Sequence, residues 1–338
     1  MKILVFGAGI IGSYLAHILC KNNDVTLLAR GERKRELEQN GLVIRHHLQR
    51  RTTTDKPVIT DNISGKYDAA FVVMPYDNIR VVTEQIAEID AQLVICVGNN
   101  PEAEKMQNEI LSNSHNKKEV LFGFQATAGK RENGILICER AGIGCMDIGA
   151  LHSLPSDNAK NILEEIFKNT GYKLNYQYDM QAYLYCHLAA ILPIAYLSYI
   201  CDGDLRKSTS SQRTMMQKAS AEGYDMLISL GYPILPKDDD KYFRWGIKGS
   251  LMKFLYFVMA KTVMGDLVAC EHCRNSVSEM ELLDIGFQKL IDNSNNFSMP
   301  VWNELKEQVL SWEELHKKYN HGNNQCQPQQ YSKLLWLF

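Results

Sequence analysis

Net charge is nearly absent from this chain: 37 basic against 39 acidic residues leave −2 over 338 residues. That balance argues against a domain made basic to coat the phosphate backbone, so no nucleic-acid partner is expected. Cysteine is sparse, nine residues scattered along the chain, which excludes a disulfide-stapled scaffold. No leader-like segment is visible, because Lys2 runs straight into a strand-like stretch and a glycine loop. The expectation is a reduced, cytoplasmic protein. Long unbroken apolar runs are also lacking. Leu184 to Cys201 is nearly bilayer length, but it holds His187 and Pro193 and is followed by Asp202 and Asp204. Leu251 to Cys270 is broken by Lys253, Lys261 and Asp266. Both read as buried helices, and no membrane partner is expected. There is no P-loop, nucleophile elbow, metal-binding triad or internal repeat. Cys270-Glu271-His272-Cys273 is a C-x-x-C without a second ligand pair, so it reads as packing and no metal is assigned. The basic cluster Arg45 to Arg51 reads as a solvated loop.

What is present points to a two-domain α/β protein. The length exceeds one ordinary core, and 45% apolar with 22% charged residues is a globular composition. Strand-like runs at Ile3–Phe6, Val25–Ala29, Ala69–Met74 and Leu93–Val97 alternate with helix patterns at Ile10–Lys21, Glu32–Gln39 and one reaching Glu88 from a cap at Asp77 or Asn78. Such alternation predicts a parallel sheet covered on both faces. Val120–Phe124, Ile135–Glu139 and Ile143–Ile148 are expected to extend it with antiparallel pairing. Ser156 caps a helix to Phe167, and nearly everything after Tyr178 reads as helix. The predicted division is 1–172 and 173–338, with a loose tail from Asn320 to Gln330.

Gly7-Ala8-Gly9-Ile10-Ile11-Gly12 satisfies G-x-G-x-x-G between an apolar strand and a helix pattern, the context that makes it a dinucleotide-binding signal. Gly7 permits the tight turn, Gly9 lets backbone approach the pyrophosphate, and Gly12 lets the helix pack on the strand. The helix N-terminus offers N–H groups and a positive dipole end to the phosphates. The second strand ends in Leu28-Ala29-Arg30-Gly31, without the carboxylate that would hold an NAD ribose. Arg30 suits a 2′-phosphate, so NADP (as NADPH) is the expected cofactor. Arg33 and Lys34 lie close by, interleaved with Glu32 and Glu36; a solvated helix face is the alternative for both and the preferred reading for Lys34.

The chain resembles the ketopantoate reductase (2-dehydropantoate 2-reductase) family. The resemblance rests on Lys2–Tyr14, Val25–Arg33, Ala69–Met74, Val97–Pro101, Gly123–Gly134, Tyr183–Pro193 and Ser278–Pro300. It implies an N-terminal Rossmann-like, doubly wound domain followed by an all-helical C-terminal domain for substrate and dimerisation, with the active site between them. It also implies hydride transfer from NADPH to the ketone of a small 2-oxo acid. Met74 and Asn99 then fall among the cofactor-binding positions.

The sequence departs from the family at the catalytic lysine. Aligned on the aromatic residue of the pattern W-x-K-L-x-x-N, Tyr185 takes the lysine position; aligned on the leucine, His187 does. On a helix the two point about 200° apart, so only one can face a given cleft. His187 has the side chain suited to acid catalysis near neutrality. The usual first-domain lysine is also replaced, by Met74-Pro75-Tyr76. Glu279, in Ser278-Glu279-Met280-Glu281, keeps the acidic spacing of the family's C-terminal segment and is a candidate for a substrate hydroxyl; a helix-surface carboxylate is the equally weighted alternative.

The leading expectation is thus an NADPH-dependent oxidoreductase of this type, acting on a small carbonyl substrate through His187, Tyr185 and Glu279. The second is a catalytically silent NADP-binding sensor or interaction protein. The apolar helices after residue 180 could bury a homodimer interface.

Overall fold

The structure is a computed structural model that describes residues 1–320 apart from 126, 140, 141 and 296. The expected loose tail lies almost wholly outside the described residues. The first half runs β1 (Lys2–Phe6), α1 (Ile10–Leu19), β2 (Asp24–Leu28), α2 (Gly31–Asn40), β3 (Leu42–His46), β4 (Arg51–Asp55), β5 (Val58–Thr60), β6 (Lys66–Val73), α3 (Tyr76–Ile79), α4 (Thr83–Glu88), β7 (Asp90–Val97), α5 (Ala103–Asn113) and β8 (Glu119–Gln125). Then follow β9 (Ala128–Glu132), β10 (Ile135–Glu139), β11 (Cys145–Gly149), α6 (Asp157–Phe167) and β12 (Lys173–Tyr176). The second half is helical: α7 (Met180–Ile200), α8 (Ser210–Ser229), α9 (Ile247–Lys261), α10 (Val263–Gly265), a π-turn (Asp266–Cys270), α11 (Glu271–Asn275), α12 (Val277–Asp292), α13 (Pro300–Glu307) and α14 (Trp312–Asn320).

An eight-stranded sheet has the order β12-β11-β8-β7-β6-β1-β2-β5. From β5 to β8 all neighbours are parallel, and the order reverses at β1 between β2 and β6. This is the doubly wound arrangement whose ligand crevice lies at the carboxyl ends of the strands beside that switch point. Alternation sends Ala69 and Phe71 to one core, shared with α1 and α6, and Ala70 and Val72 to the other, shared with α5 and the C-terminal helices. Burial on both faces explains why these strands read as continuous apolar runs.

Several expectations need correction. Of the three strands expected to extend the sheet with antiparallel pairing, the first, β8, pairs parallel with β7, and only the last, β11, pairs antiparallel, with β8. Ile135–Glu139 leaves it for a four-stranded sheet, order β4-β3-β10-β9. The supposed loop Arg45–Arg51 is the turn of a hairpin in that sheet: residues 47–50 form the turn, and Arg45, His46 and Arg51 end the antiparallel β3 and β4. The chain stays in the large sheet past residue 172, since β12 pairs parallel with β11. The helix expected from Asp77 to Glu88 is broken into α3 and α4, and neither Asp77 nor Asn78 caps it.

In the second half, α7 is the one helix among the described residues long and apolar enough to cross a membrane. Of its 18-residue window, 72% is buried inside the protein. The stretch from Leu251 is not a buried helix: Leu251, Phe254, Leu255 and Val258 stand exposed on α9, while Tyr256 and Ala260 face inward.

Candidate active site

Each glycine of the loop after β1 has a distinct steric reason. Gly7 adopts φ +122°, and a Cβ there would stand 2.1 Å from the carbonyl oxygen of Val73, the last residue of β6. A Cβ on Gly12 would stand 2.0 Å from the carbonyl oxygen of Gly7, so helix and loop touch only because the side chain is missing. A Cβ on Gly9 would meet nothing within 4 Å. Gly9 is the N-cap of α1, with no capping side chain and no acidic residue in the first turn. The positive end of α1 is thus left to an anion. Ala8, Ile10 and Ile11 complete the loop and the first turn of α1.

At the end of β2, Arg30 is exposed, donates to Gln85 Oε1 at 3.1 Å and lies over the Phe6 ring. No carboxylate occupies the strand end. Of the two readings open for Arg33, the solvated face does not hold. Its Nε donates to the Ala8 carbonyl (3.3 Å), Nη2 to Ser13 Oγ (3.3 Å), and Nη1 to the Gly134 carbonyl (3.1 Å) and Glu36 (3.2 Å). Burial lowers its pKa from the usual guanidinium value, against the bond to Glu36. Arg33 thus braces the glycine loop from α2, a role hidden by its charged neighbours in sequence. Lys34 does lie on the outer side of α2, 2.7 Å from Asp61.

The second cluster forms where the helical half meets the carboxyl ends of β6 and β7. Glu279, only 2% exposed, is not a surface carboxylate. Its Oε1 accepts from the Tyr76 backbone N–H (3.1 Å) and from Asn99 Nδ2 (3.4 Å). Tyr76 follows Met74-Pro75 after β6, and Asn99 follows Gly98 after β7, so one side chain of α12 joins both strand ends. Asn99 Oδ1 is buried without a hydrogen-bond partner among the described residues. Met74 sits beside the loop, its Cγ 3.4 Å from where a Gly7 Cβ would be. The approach of α12 depends on Gly286, where a Cβ would stand 2.4 Å from the Pro101 side chain.

Sequence reasoning passed over His272. Its Nε2 forms an ion-pair contact of 3.0 Å with Glu279 Oε2, while its side chain stays 46% exposed. Desolvation works to lower the His272 pKa, but Glu279, with Asp77 behind it, raises it overall. Glu279 is shifted oppositely: burial disfavours its charge, yet His272, Tyr76 and Asn99 hold it below the ordinary carboxylate value. The signal in the sequence was an exposed histidine seven residues before the acidic position, in a segment that attracted notice only for its cysteines. Cys270 and Cys273 are both buried.

The two residues competing for the lysine position part as helix geometry requires. His187 lies against the Phe124 ring at the end of β8, centroids 3.9 Å apart. Burial pushes its pKa down to about 4, with Glu279 acting in the opposite direction. It is neutral at pH 7, which removes the argument that it is poised for acid catalysis. Tyr185 packs edge-on to Tyr232, ring centroids 5.0 Å apart, and burial raises its pKa. The structure thus brings Glu279, Asn99 and Met74 to the strand ends near the glycine loop, with His187 at the adjoining end of β8. Tyr185 packs elsewhere.

Comparison with known proteins agrees with this geometry. Residues 3–153 match the family described as ketopantoate reductase PanE/ApbA. Over 88 residues the chain is 34% identical to an uncharacterized oxidoreductase, YkpB, of Bacillus subtilis (strain 168). That match spans 25% of this chain and 28% of YkpB. A PanE/ApbA family ketopantoate reductase from Ralstonia eutropha JMP134 superimposes with a TM-score of 0.71 at 18% identity, over 95% of this chain and 100% of that one. D-mandelate dehydrogenase, solved with NADH and anilino(oxo)acetate, gives 0.67 at 14%, over 95% and 99%. The 2-dehydropantoate 2-reductase of Methylococcus capsulatus gives 0.64 at 15%, over 99% of both chains. Residues 3–153 are thus similar to the ketopantoate reductase PanE/ApbA family, and along nearly its whole length the chain has the fold of these solved reductases.

Proposed function

We propose that this protein is an NADPH-dependent oxidoreductase that reduces the ketone of a small 2-oxo acid. The observation that carries the reading is the meeting of two features at the carboxyl ends of β1, β6 and β7. One is a glycine loop shaped for a pyrophosphate. The other is the buried Glu279 tied to Tyr76 and Asn99. The bound nicotinamide supplies the hydride. Gly7, Gly9 and Gly12 seat the pyrophosphate, Arg30 takes the 2′-phosphate, and Met74 and Asn99 line the way to the cleft. Glu279 orients the groups around the carbonyl, while His187 against Phe124 forms an apolar wall that excludes water.

A second reading, an NADP-binding sensor without turnover, is favoured by the neutrality of His187 and by the packing of Tyr185 against Tyr232. Thermal stabilisation by NADPH and, in parallel, NADH tests the shared part. A ligand confined to the folded state at 100 times its Kd adds about 2.7 kcal/mol. A shift with NADPH alone supports the NADP reading, and a shift with neither overturns both. NADPH binding without oxidation by any 2-oxo acid leaves the sensor.

A further inference from the structure

The cleft contains a charge arrangement that neither aligned candidate for the missing lysine provides. Reduction of a ketone needs a proton for the developing alkoxide, and a 2-oxo acid brings a carboxylate that needs a positive neighbour. Tyr185 is packed against Tyr232. His187 is pressed on Phe124 and carries no charge at neutrality.

Three cationic side chains nearby are engaged elsewhere. Lys130 is paired with Glu132, Lys289 with Glu102, and Arg274 with Asp266 and Glu271. His272 differs from all of them. It is a half-exposed ring whose Nε2 sits 3.0 Å from a buried carboxylate that is itself bonded to both strand ends.

We propose that His272, oriented by Glu279, is the catalytic acid of this cleft, donating a proton from Nδ1 to the carbonyl oxygen of a small 2-oxo acid while its charge offsets the substrate carboxylate. This rests on the reductase reading above. The step balances. Hydride adds to the carbonyl carbon, the C=O π pair moves to oxygen, the Nδ1–H bond breaks and an O–H bond forms. The nicotinamide is oxidised, His272 is left neutral with Nε2 3.0 Å from Glu279 Oε2, and water reprotonates the ring through its exposed edge.

Two carboxylates set its protonation, and the other titratable groups on the neighbouring elements are neutral or paired. Glu279 on α12 and Asp77 on α3 favour the charged ring. His187 on α7 is neutral. Lys130 on β9 is bound to Glu132, and on α14 His316 meets Glu281 and Lys318 meets Asp202. The carboxylates therefore prevail, and the ring holds its proton further up the pH scale than a free histidine.

The test is steady-state NADPH oxidation across pH with a panel of 2-oxo acids, for the wild-type chain, H272Q and H272K, with NADPH affinity measured on each. H272Q is expected to lose about 100-fold or more in kcat, to lose the alkaline limb of the profile, and to keep its fold and NADPH affinity. H272K is expected to recover part of the rate with the limb moved to higher pH. An H272Q enzyme with wild-type kcat and an unchanged limb overturns the inference and leaves the reductase reading standing. Failure of both variants to bind NADPH would make His272 a structural residue and overturn it as well. A wild-type chain that binds NADPH and reduces none of the acids removes the reductase reading, and the inference with it.

Discussion

Arg33 and Ala8 are joined across the first and second strand-to-helix turns: the guanidinium Nε donates to the Ala8 carbonyl at 3.3 Å, inside the glycine loop. The same side chain reaches Ser13 of α1 and the Gly134 carbonyl in the β9–β10 turn. The loop is therefore held from outside as well as by its own glycines.

Replacing Arg33 by alanine leaves these acceptors without their donor. The expected cost is on the order of 1–3 kcal/mol of stability, with weaker dinucleotide affinity because the loop loses its brace. Lysine at this position is expected to recover little, since a single ammonium cannot reach the same spread of acceptors. Denaturant unfolding with and without NADPH measures both effects.

The glycines separate fold from cofactor. At Gly12 a new Cβ would collide with the Gly7 carbonyl, so G12A is expected to lose roughly 1–3 kcal/mol as helix and loop are forced apart. At Gly9 a Cβ meets no protein atom, so G9A is expected to unfold within about 0.5 kcal/mol of wild type. NADPH affinity is expected to fall in both. Equal destabilisation by the two substitutions would contradict the assignment of Gly9 to the pyrophosphate.

Arg30 is expected to set cofactor choice. Its guanidinium is exposed and, among the described residues, its side-chain hydrogen bond is to Gln85, so R30A should leave the thermal midpoint of the free protein nearly unchanged. Loss of a charged hydrogen bond to a phosphate, about 1.5–3 kcal/mol, should weaken NADPH by roughly 10- to 100-fold while NADH changes little. Isothermal titration with both dinucleotides reads the ratio.

His187 gives the protein an acid sensitivity. Burial holds its pKa near 4, against the ordinary 6.5. Between these values the unfolded chain binds the extra proton and the folded chain does not, so stability rises with pH across that window. Acidification from about pH 6.5 to about pH 4 should therefore remove stability through this residue, on the order of 3 kcal/mol when complete. Glu279, held below the ordinary carboxylate value, also loses stability on acidification. The informative quantity is thus the difference between wild type and H187Q. The substitution should flatten the stability–pH curve in that window and leave it unchanged above pH 7.

The sheet was legible because its strands are buried on both faces and read as apolar runs at β1, β6 and β7. The glycine loop was legible because its spacing carries its own steric reasons. Glu279 was legible as a position but not as a buried one, since burial comes from Gly286 letting α12 dock on Pro101, a contact between distant parts of the chain. Arg33 and His272 were not legible. Each lies in a charged local sequence, and each takes its role from partners far along the chain or on another helix. The exposed apolar face of α9 also escaped notice, because a count of apolar residues does not say which way they point.

The most direct measurement is the loss of NADPH absorbance when the purified protein is offered small 2-oxo acids, with NADH as the parallel arm. Turnover of at least one such acid, faster with NADPH than with NADH, is the predicted result. Tight NADPH binding with no oxidation by any of them would contradict the account and leave the protein a dinucleotide sensor on a reductase fold.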